Sequence, residues 1–216
     1  MFLKNNVFLN MIKDWTGNGL SLYKINGCSS HCNDDRAEYD FYATHPRAVE
    51  MLLELEQFSE NVWEPCAGNN MITNVLIKHG HKVRNSDIVD RTGDIEIFDF
   101  LQEPQDDTQD CDIITNPPYK YAKEFVENSM RWVKNGHKVA MFLKLTFLEG
   151  KKRRELFEKY PPKYVYVSSS RLECIKNGDM VDKNGKETTG IGGAVCYCWY
   201  IWEKGFTGEP TIRWFN

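Results

Sequence analysis

The sequence predicts an α/β fold, a mostly parallel sheet wound on both sides by helices, and three stretches carry that prediction. Residues 61–80 read as a short strand, a turn of small residues and a helix closed by Gly80, the opening of a doubly wound nucleotide-binding sheet. Residues 112–119, Asp-Ile-Ile-Thr-Asn-Pro-Pro-Tyr, read as a buried strand delivering a rigid loop, because an apolar run too short for a helix ends in a polar residue, two prolines and an aromatic. Residues 163–167 and 193–202 then supply a strand pair late in the chain.

The 216 residues, 41% of them hydrophobic, suffice for one domain with a substantial core. We expect that domain over 41–216. Residues 1–40, polar and without sustained periodicity, read as an N-terminal arm or lid. No stretch approaches the ~20 apolar residues of a membrane span, and Lys4, Asn5, Asn6 and Asn10 interrupt the first segment, so a cytoplasmic protein without a membrane partner is expected. Seven scattered cysteines fit reduced, buried thiols better than a disulfide framework. Cys28, His31 and Cys32 could form half a zinc site, but no second pair with ligand spacing follows, and no metal is expected. Nothing in the sequence sets an oligomeric state.

In chain order, Thr44 reads as the N-cap of a first helix with Pro46 in its first turn. The strand ending at Glu64 runs into Pro-Cys-Ala-Gly-Asn-Asn, which lacks the dinucleotide Gly-x-Gly-x-x-Gly pattern. Asn70 stands at its end, and asparagine tolerates a left-handed backbone better than most residues. The next strand, 82–88, ends in Asp87 and Ile88. An acid at that strand end is placed to hydrogen-bond vicinal ribose hydroxyls, and Ile88 to lie on an adenine face. A third strand is expected in 94–101, a helix from 121 to 133, a strand over 138–145 with the loop 146–150, and a basic helix start at Lys151-Lys152-Arg153-Arg154.

The chemistry concentrates at Asn116. Pro117 pushes it out of the α region, so an extended Asn stands at the mouth of a sheet beside an aromatic ring. Its side-chain oxygen and a neighbouring main-chain carbonyl can accept both hydrogens of a planar amino group while the ring holds the heterocycle flat. Two acceptors in line with the N–H bonds favour the pyramidal amine, and so stabilise the transition state of its attack more than the ground state.

Asn116-Pro117-Pro118-Tyr119 resembles the Asn/Asp/Ser-Pro-Pro-aromatic signature of S-adenosylmethionine-dependent amino-methyltransferases. The surrounding order is similar too: Phe41, Tyr42 and Thr44 before the first strand, Glu64-Pro65-Cys66-Ala67-Gly68, the acid Asp87, Asp99-Phe100-Leu101, and Thr146-Phe147-Leu148-Glu149. From residue 38 onward the chain resembles adenine-N6 methyltransferases of the phage and prophage type. The resemblance implies a class I methyltransferase fold with a seven-stranded sheet whose last strand is antiparallel. It implies S-adenosyl-L-methionine as cofactor, held by Tyr42, Thr44, Glu64, Cys66, Ala67, Gly68, Asp87, Ile88, Asp99, Phe100 and Asn116. It also implies catalysis by Asn116, Pro117, Pro118 and Tyr119, with Tyr119 and Phe147 clamping an extruded adenine.

Charge bears on the partner. Residues 90–112 hold nine acids against Arg91 alone, whereas 120–163 hold twelve Lys or Arg against five Glu. If the second region lies beside the Asn-Pro-Pro-Tyr loop, it would attract phosphates, with Lys151, Lys152, Arg153 and Arg154 as candidate contacts. DNA is the expected partner. RNA, or a catalytically silent relic that binds cofactor or nucleic acid, are the alternatives.

Overall fold

The computed structural model describes residues 42–104, 109–172, 174–176, 180, 187 and 195–216. The expected arm over 1–40, the Cys28–Cys32 half-site and most of residues 168–192 lie outside them.

Ten strands are described. β1 (Tyr42–Thr44) and β8 (Cys174–Lys176) pair antiparallel as a small ribbon of their own. The other eight are β2 (Asn61–Glu64), β3 (Lys82–Asp87), β4 (Glu96–Ile97), β5 (Asp112–Thr115), β6 (Lys138–Lys144), β7 (Tyr164–Ser168), β9 (Tyr197–Glu203) and β10 (Thr211–Phe215). They form one sheet in the order β10-β7-β9-β6-β5-β2-β3-β4, in which only β9 runs antiparallel to its neighbours. The expected class of sheet is therefore present with two corrections. It has eight strands rather than seven, and the antiparallel strand is β9, because β10 follows it and pairs parallel to β7 at the edge. β10 buries little: Ile212 and Trp214 are exposed, and Arg213 stacks on Tyr164 at 4.2 Å.

Four helices cover the sheet: α1 (Pro46–Leu55), α2 (Met71–Lys78), α3 (Ala122–Trp132) and α4 (Lys151–Lys159). Alternation along the strands sorts side chains to the two faces. Val139, Met141 and Leu143 of β6, with Cys198, Tyr200 and Trp202 of β9, pack against Phe125, Val126 and Met130 of α3 and Leu156 of α4. Ala140, Phe142, Trp199 and Ile201 face Val49 and Leu52 of α1 and Val75 and Leu76 of α2. The buried indoles keep their N–H groups satisfied: Trp63 donates to Ser86 Oγ, Trp199 to the Ala48 carbonyl and Trp202 to the Tyr160 carbonyl. No helix among the described residues is long and apolar enough to cross a membrane.

Three local expectations shift. The N-cap of α1 is His45, whose Nδ1 accepts from the Arg47 amide at 3.1 Å, with Pro46 at the first helical position, while Thr44 closes β1. The strand expected in 94–101 contracts to two residues at the sheet edge. The late strand expected over 193–202 is described from Tyr197 to Glu203.

At the opposite edge from the strand carboxyl ends, His137 bridges two acids, Nδ1 to Asp112 and Nε2 to Asp110, each at 2.8 Å. Burial alone would lower its pKa, but the hydrogen bonds to Asp112 and then Asp110 outweigh it and hold the imidazole above its ordinary value. A raised folded pKa means that the stabilisation is complete below the unfolded pKa of about 6.5 and is lost as pH rises through the folded value. Denaturant titrations should therefore show stability falling by about 1 kcal/mol, the scale of a partly exposed pair, as pH climbs through that window. His137→Gln should remove the slope; a slope unchanged in the variant would reject the assignment.

Candidate active site

The chain turns from β2 to β3 on one side and reaches β5 on the other, so the sheet's topological switch lies between β2 and β5. Open α/β sheets bind ligands at that place, outside the strand carboxyl ends. A cleft of about 520 Å³ lies there, within the about 300–1,000 Å³ usual for small-molecule sites. Its lining includes every residue expected to hold cofactor: Tyr42, Thr44, Glu64, Cys66, Ala67, Gly68, Asp87, Ile88, Asp99, Phe100 and Asn116.

The turn after β2 is built for close approach. Gly68 adopts φ +58°, and its amide donates to Asp87 Oδ2 at 2.9 Å, so the acid ending β3 fixes the loop that follows β2. The other carboxylate oxygen accepts from the Val89 amide at 3.1 Å and lies 3.5 Å from Arg91. Asn70 takes the left-handed conformation at φ 62° that a glycine would otherwise supply. Its side chain also joins three neighbours, donating to Thr92 and Asp94 and accepting from Asn85. Replacing the glycine of the resembled pattern with Asn thus preserves the backbone turn and ties it to the loop after β3.

Glu64 is buried and accepts from the Thr73 hydroxyl. Burial pushes its carboxyl well above the usual carboxylate range. Burial likewise raises the Cys66 thiol well above its ordinary value, with the nearby Asp87 charge adding to it. Ile88, by contrast, is an apolar side chain left 56% exposed on the cleft wall, as a stacking surface for a flat ring would be. Asp99 turns its Oδ1 back to the Leu101 amide at 2.9 Å.

The Asn-Pro-Pro-Tyr loop leaves β5 at the cleft. Asn116 Nδ2 donates to the Tyr42 carbonyl at 2.6 Å and to the Cys174 sulfur at 3.7 Å, so the β1–β8 ribbon fixes the orientation of the amide. Among the described residues, Asn116 Oδ1 is thereby left buried without a partner, as is Thr44 Oγ1 on the same cleft. Orphaned buried acceptors of this kind call for an explanation, and a ligand donor supplies one. Tyr119 and Pro117 do not line the cleft, although Pro118 does. The Tyr119 ring packs beside Tyr42 and Tyr197, centroids 6.5 and 5.8 Å away, and its hydroxyl meets Cys174 Sγ at 3.0 Å. Burial, then Cys174 and Tyr197, raise its pKa well above the phenol range. Burial pushes the Cys174 thiol up to about 12.

The expected substrate side needs correction. Phe147 is not at the site: the 3-10 turn Leu145–Leu148 rotates it into the core, edge-on to Phe157 and Tyr200, with Arg153 stacked on it at 4.8 Å. Arg153 spends its guanidinium on the carbonyls of Thr146, Phe147 and Glu149, and Arg154 pairs with Glu158. Lys151 and Lys152 are exposed and make no ion pair among the described residues. The acidic stretch also meets the basic one, with Glu103 on Arg131 and Asp110 on Lys134, so part of the apparent charge segregation cancels away from the cleft. Sequence reasoning missed Arg91, Lys120, Tyr121 and Phe125, which complete the cleft wall. Phe125, one turn after Tyr121 on α3, could have been found from helical spacing.

No protein-family model matches the chain, and no curated protein does. Solved structures do match in fold. A candidate RNA methyltransferase, PH1948 from Pyrococcus horikoshii, superposes with a TM-score of 0.51 at 14% identity, covering 85% of this chain and 98% of its own. A predicted O-methyltransferase, Atu636 from Agrobacterium tumefaciens, gives 0.51 at 10% identity, covering 77% and 85%. A hemolysin candidate from Lactococcus lactis gives 0.52 at 13% identity, covering 77% and 92%. Strand order, the single antiparallel strand and these superpositions agree that the chain has the class I methyltransferase fold, a Rossmann-like, mostly parallel sheet between two layers of helices.

Proposed function

We propose that the protein transfers a methyl group from S-adenosyl-L-methionine to the exocyclic N6 amine of adenine in DNA. The observation that carries this reading is the Asn116 amide, held by its nitrogen on the Tyr42 carbonyl so that a buried oxygen, unpartnered among the described residues, remains at a cleft of cofactor size. An amine with two hydrogens fits that acceptor. The cleft residues fit the donor: Asp87 for the ribose hydroxyls, Asp99 for the adenine amine, Ile88 for the adenine face, the Gly68 turn for close approach, and the unpartnered Thr44 hydroxyl for the methionine end.

When bound, S-adenosylmethionine supplies an electrophilic methyl on a sulfonium centre. Asn116 Oδ1 would accept an N6 hydrogen of the adenine and so orient the amine with its lone pair free for that methyl. Transfer to that amine would exchange the methyl's bond to sulfur for a bond to nitrogen, with the C–S electron pair staying on sulfur. The sulfonium's positive charge would pass to the amine nitrogen and leave with the N6 proton to solvent, so alignment by Asn116 matters more than a base during the attack itself. Tyr119 stiffens the loop that presents Asn116, and Lys151 and Lys152 offer charge to the DNA backbone.

Calorimetric titration with S-adenosylmethionine, followed by transfer of a tritiated methyl to unmodified DNA, RNA and peptide pools, tests the proposal. Saturable cofactor binding and label recovered as N6-methyladenine from DNA are expected. Label confined to RNA would move the substrate to the other polymer, and label on peptide or no cofactor binding would reject the reading.

A further inference from the structure

Of the twelve cations in 120–163, most are already engaged. Lys123, Arg131, Lys134, Lys138, Arg154 and Lys163 each have a carboxylate within 4.0 Å, and Arg153 is satisfied by carbonyls. Lys144 has no such partner among the described residues. It is the last residue of β6, next to β5 in the sheet, and so stands at the same edge as the Asn-Pro-Pro-Tyr loop. Its backbone is pinned, since the Tyr200 hydroxyl donates to the carbonyls of both Lys144 and Leu145 at 3.2 Å. Its ammonium lies 5.2 Å from the centroid of the Tyr119 ring, within cation–π range.

We propose that Lys144 is a substrate-positioning residue that holds a phosphodiester of the nucleic acid carrying the target base, and that it caps the Tyr119 ring until that phosphate arrives. This rests on the methyl-transfer reading of the site and deepens it by naming the anion the substrate must bring. A partly desolvated ammonium without a carboxylate is attracted more strongly to a phosphate, a full charge, than to a ring quadrupole. Swinging from ring to phosphate costs only rotamer changes along a flexible stem. One cation thus links engagement of the backbone to the Tyr119 ring of the loop that presents Asn116. A peptide substrate carries no phosphodiester and would gain nothing from Lys144.

The test uses an adenine-containing duplex oligodeoxynucleotide, fluorescently labelled for anisotropy and unlabelled for steady-state methyl transfer, with wild type, Lys144→Met and Lys144→Arg. Lys144→Met is expected to raise both KM and the dissociation constant for the duplex about tenfold and to reduce the slope of log affinity against log salt by about 0.9. Its S-adenosylmethionine affinity and denaturant midpoint should match wild type. Lys144→Arg, which keeps the charge, should stay within about threefold of wild type. An unchanged KM and salt slope in Lys144→Met overturns the assignment, as does a fall in kcat at constant KM. Because the anisotropy arm needs no turnover, Lys144-dependent binding of a duplex that is never methylated would uphold this assignment while rejecting the methyl-transfer reading.

Discussion

Asn116→Ala is expected to lower kcat for methyl transfer by about 10²–10³-fold, the effect of removing one preorganised polar group aimed at developing charge, while cofactor affinity changes by no more than a few fold. The side chain has two jobs in the structure. Its nitrogen is committed to the Tyr42 carbonyl and the Cys174 sulfur, and its oxygen has no partner among the described residues. Truncation removes the acceptor that would orient the amine, and it leaves the Tyr42 carbonyl without its donor, a stability cost of about 1 kcal/mol. The fold should survive, since the loop is also held by the Tyr119 contacts to Tyr197 and Cys174 and by the Tyr121 amide on the Pro118 carbonyl. Asn116→Asp separates the two jobs: it keeps an acceptor but sets a carboxylate oxygen against the Tyr42 carbonyl, so the orientation is lost. Single-turnover rates for both variants, measured with circular dichroism of the same samples, decide the matter. An alanine variant within threefold of the wild-type rate would remove Asn116 from the mechanism.

The part of the cleft lined from the ends of β2 and β3 was legible because its geometry is dictated locally. A strand that ends in an acid must present it at the sheet's carboxyl edge, and a turn of small residues between strand and helix leaves room for a ligand. Hence Glu64, Cys66, Ala67, Gly68, Asp87 and Ile88 all fall on the cleft. The start of α1 was less transparent, since Thr44 reads as its cap in the sequence, yet His45 places a capping imidazole where the helix needs an acceptor.

What escaped the sequence depends on contacts between distant segments. The pairing of Thr44 with Cys174 joins residues far apart in the chain, and neither three-residue strand has a pattern of its own. Nothing local says that Tyr42 will offer its carbonyl to Asn116. Phe147 was misplaced for a different reason: Thr-Phe-Leu-Glu after a strand reads as loop, but a 3-10 turn gives a three-residue period that carries its ring into the core. The four-cation run divided because Arg153 folds back onto the carbonyls of Thr146, Phe147 and Glu149 and Arg154 stands one turn before Glu158, whereas Lys151 and Lys152 make no ion pair among the described residues.

Asp87→Ala is expected to weaken S-adenosylmethionine binding about 100-fold or more. Two hydrogen bonds from a charged group to ribose hydroxyls are worth about 3 kcal/mol in sum, and a second loss adds to it. Asp87 Oδ2 is the acceptor for the Gly68 amide, so alanine leaves that buried N–H unpaired and frees the turn on which the cofactor would rest. Asp87→Asn isolates the ribose contribution, because its amide oxygen can still accept from Gly68 while the charge is gone. It should bind cofactor about tenfold weaker than wild type and unfold at nearly the wild-type denaturant midpoint, whereas the alanine variant should lose both affinity and stability. The charge also opposes ionisation of its neighbours, since Asp87 contributes to the raised pKa of Glu64 and Cys66. Either substitution should therefore make the Cys66 thiol easier to ionise, read as faster alkylation at alkaline pH. If both variants bind S-adenosylmethionine as wild type does, the acid serves only the turn, and the cofactor must be held elsewhere in the cleft or not at all.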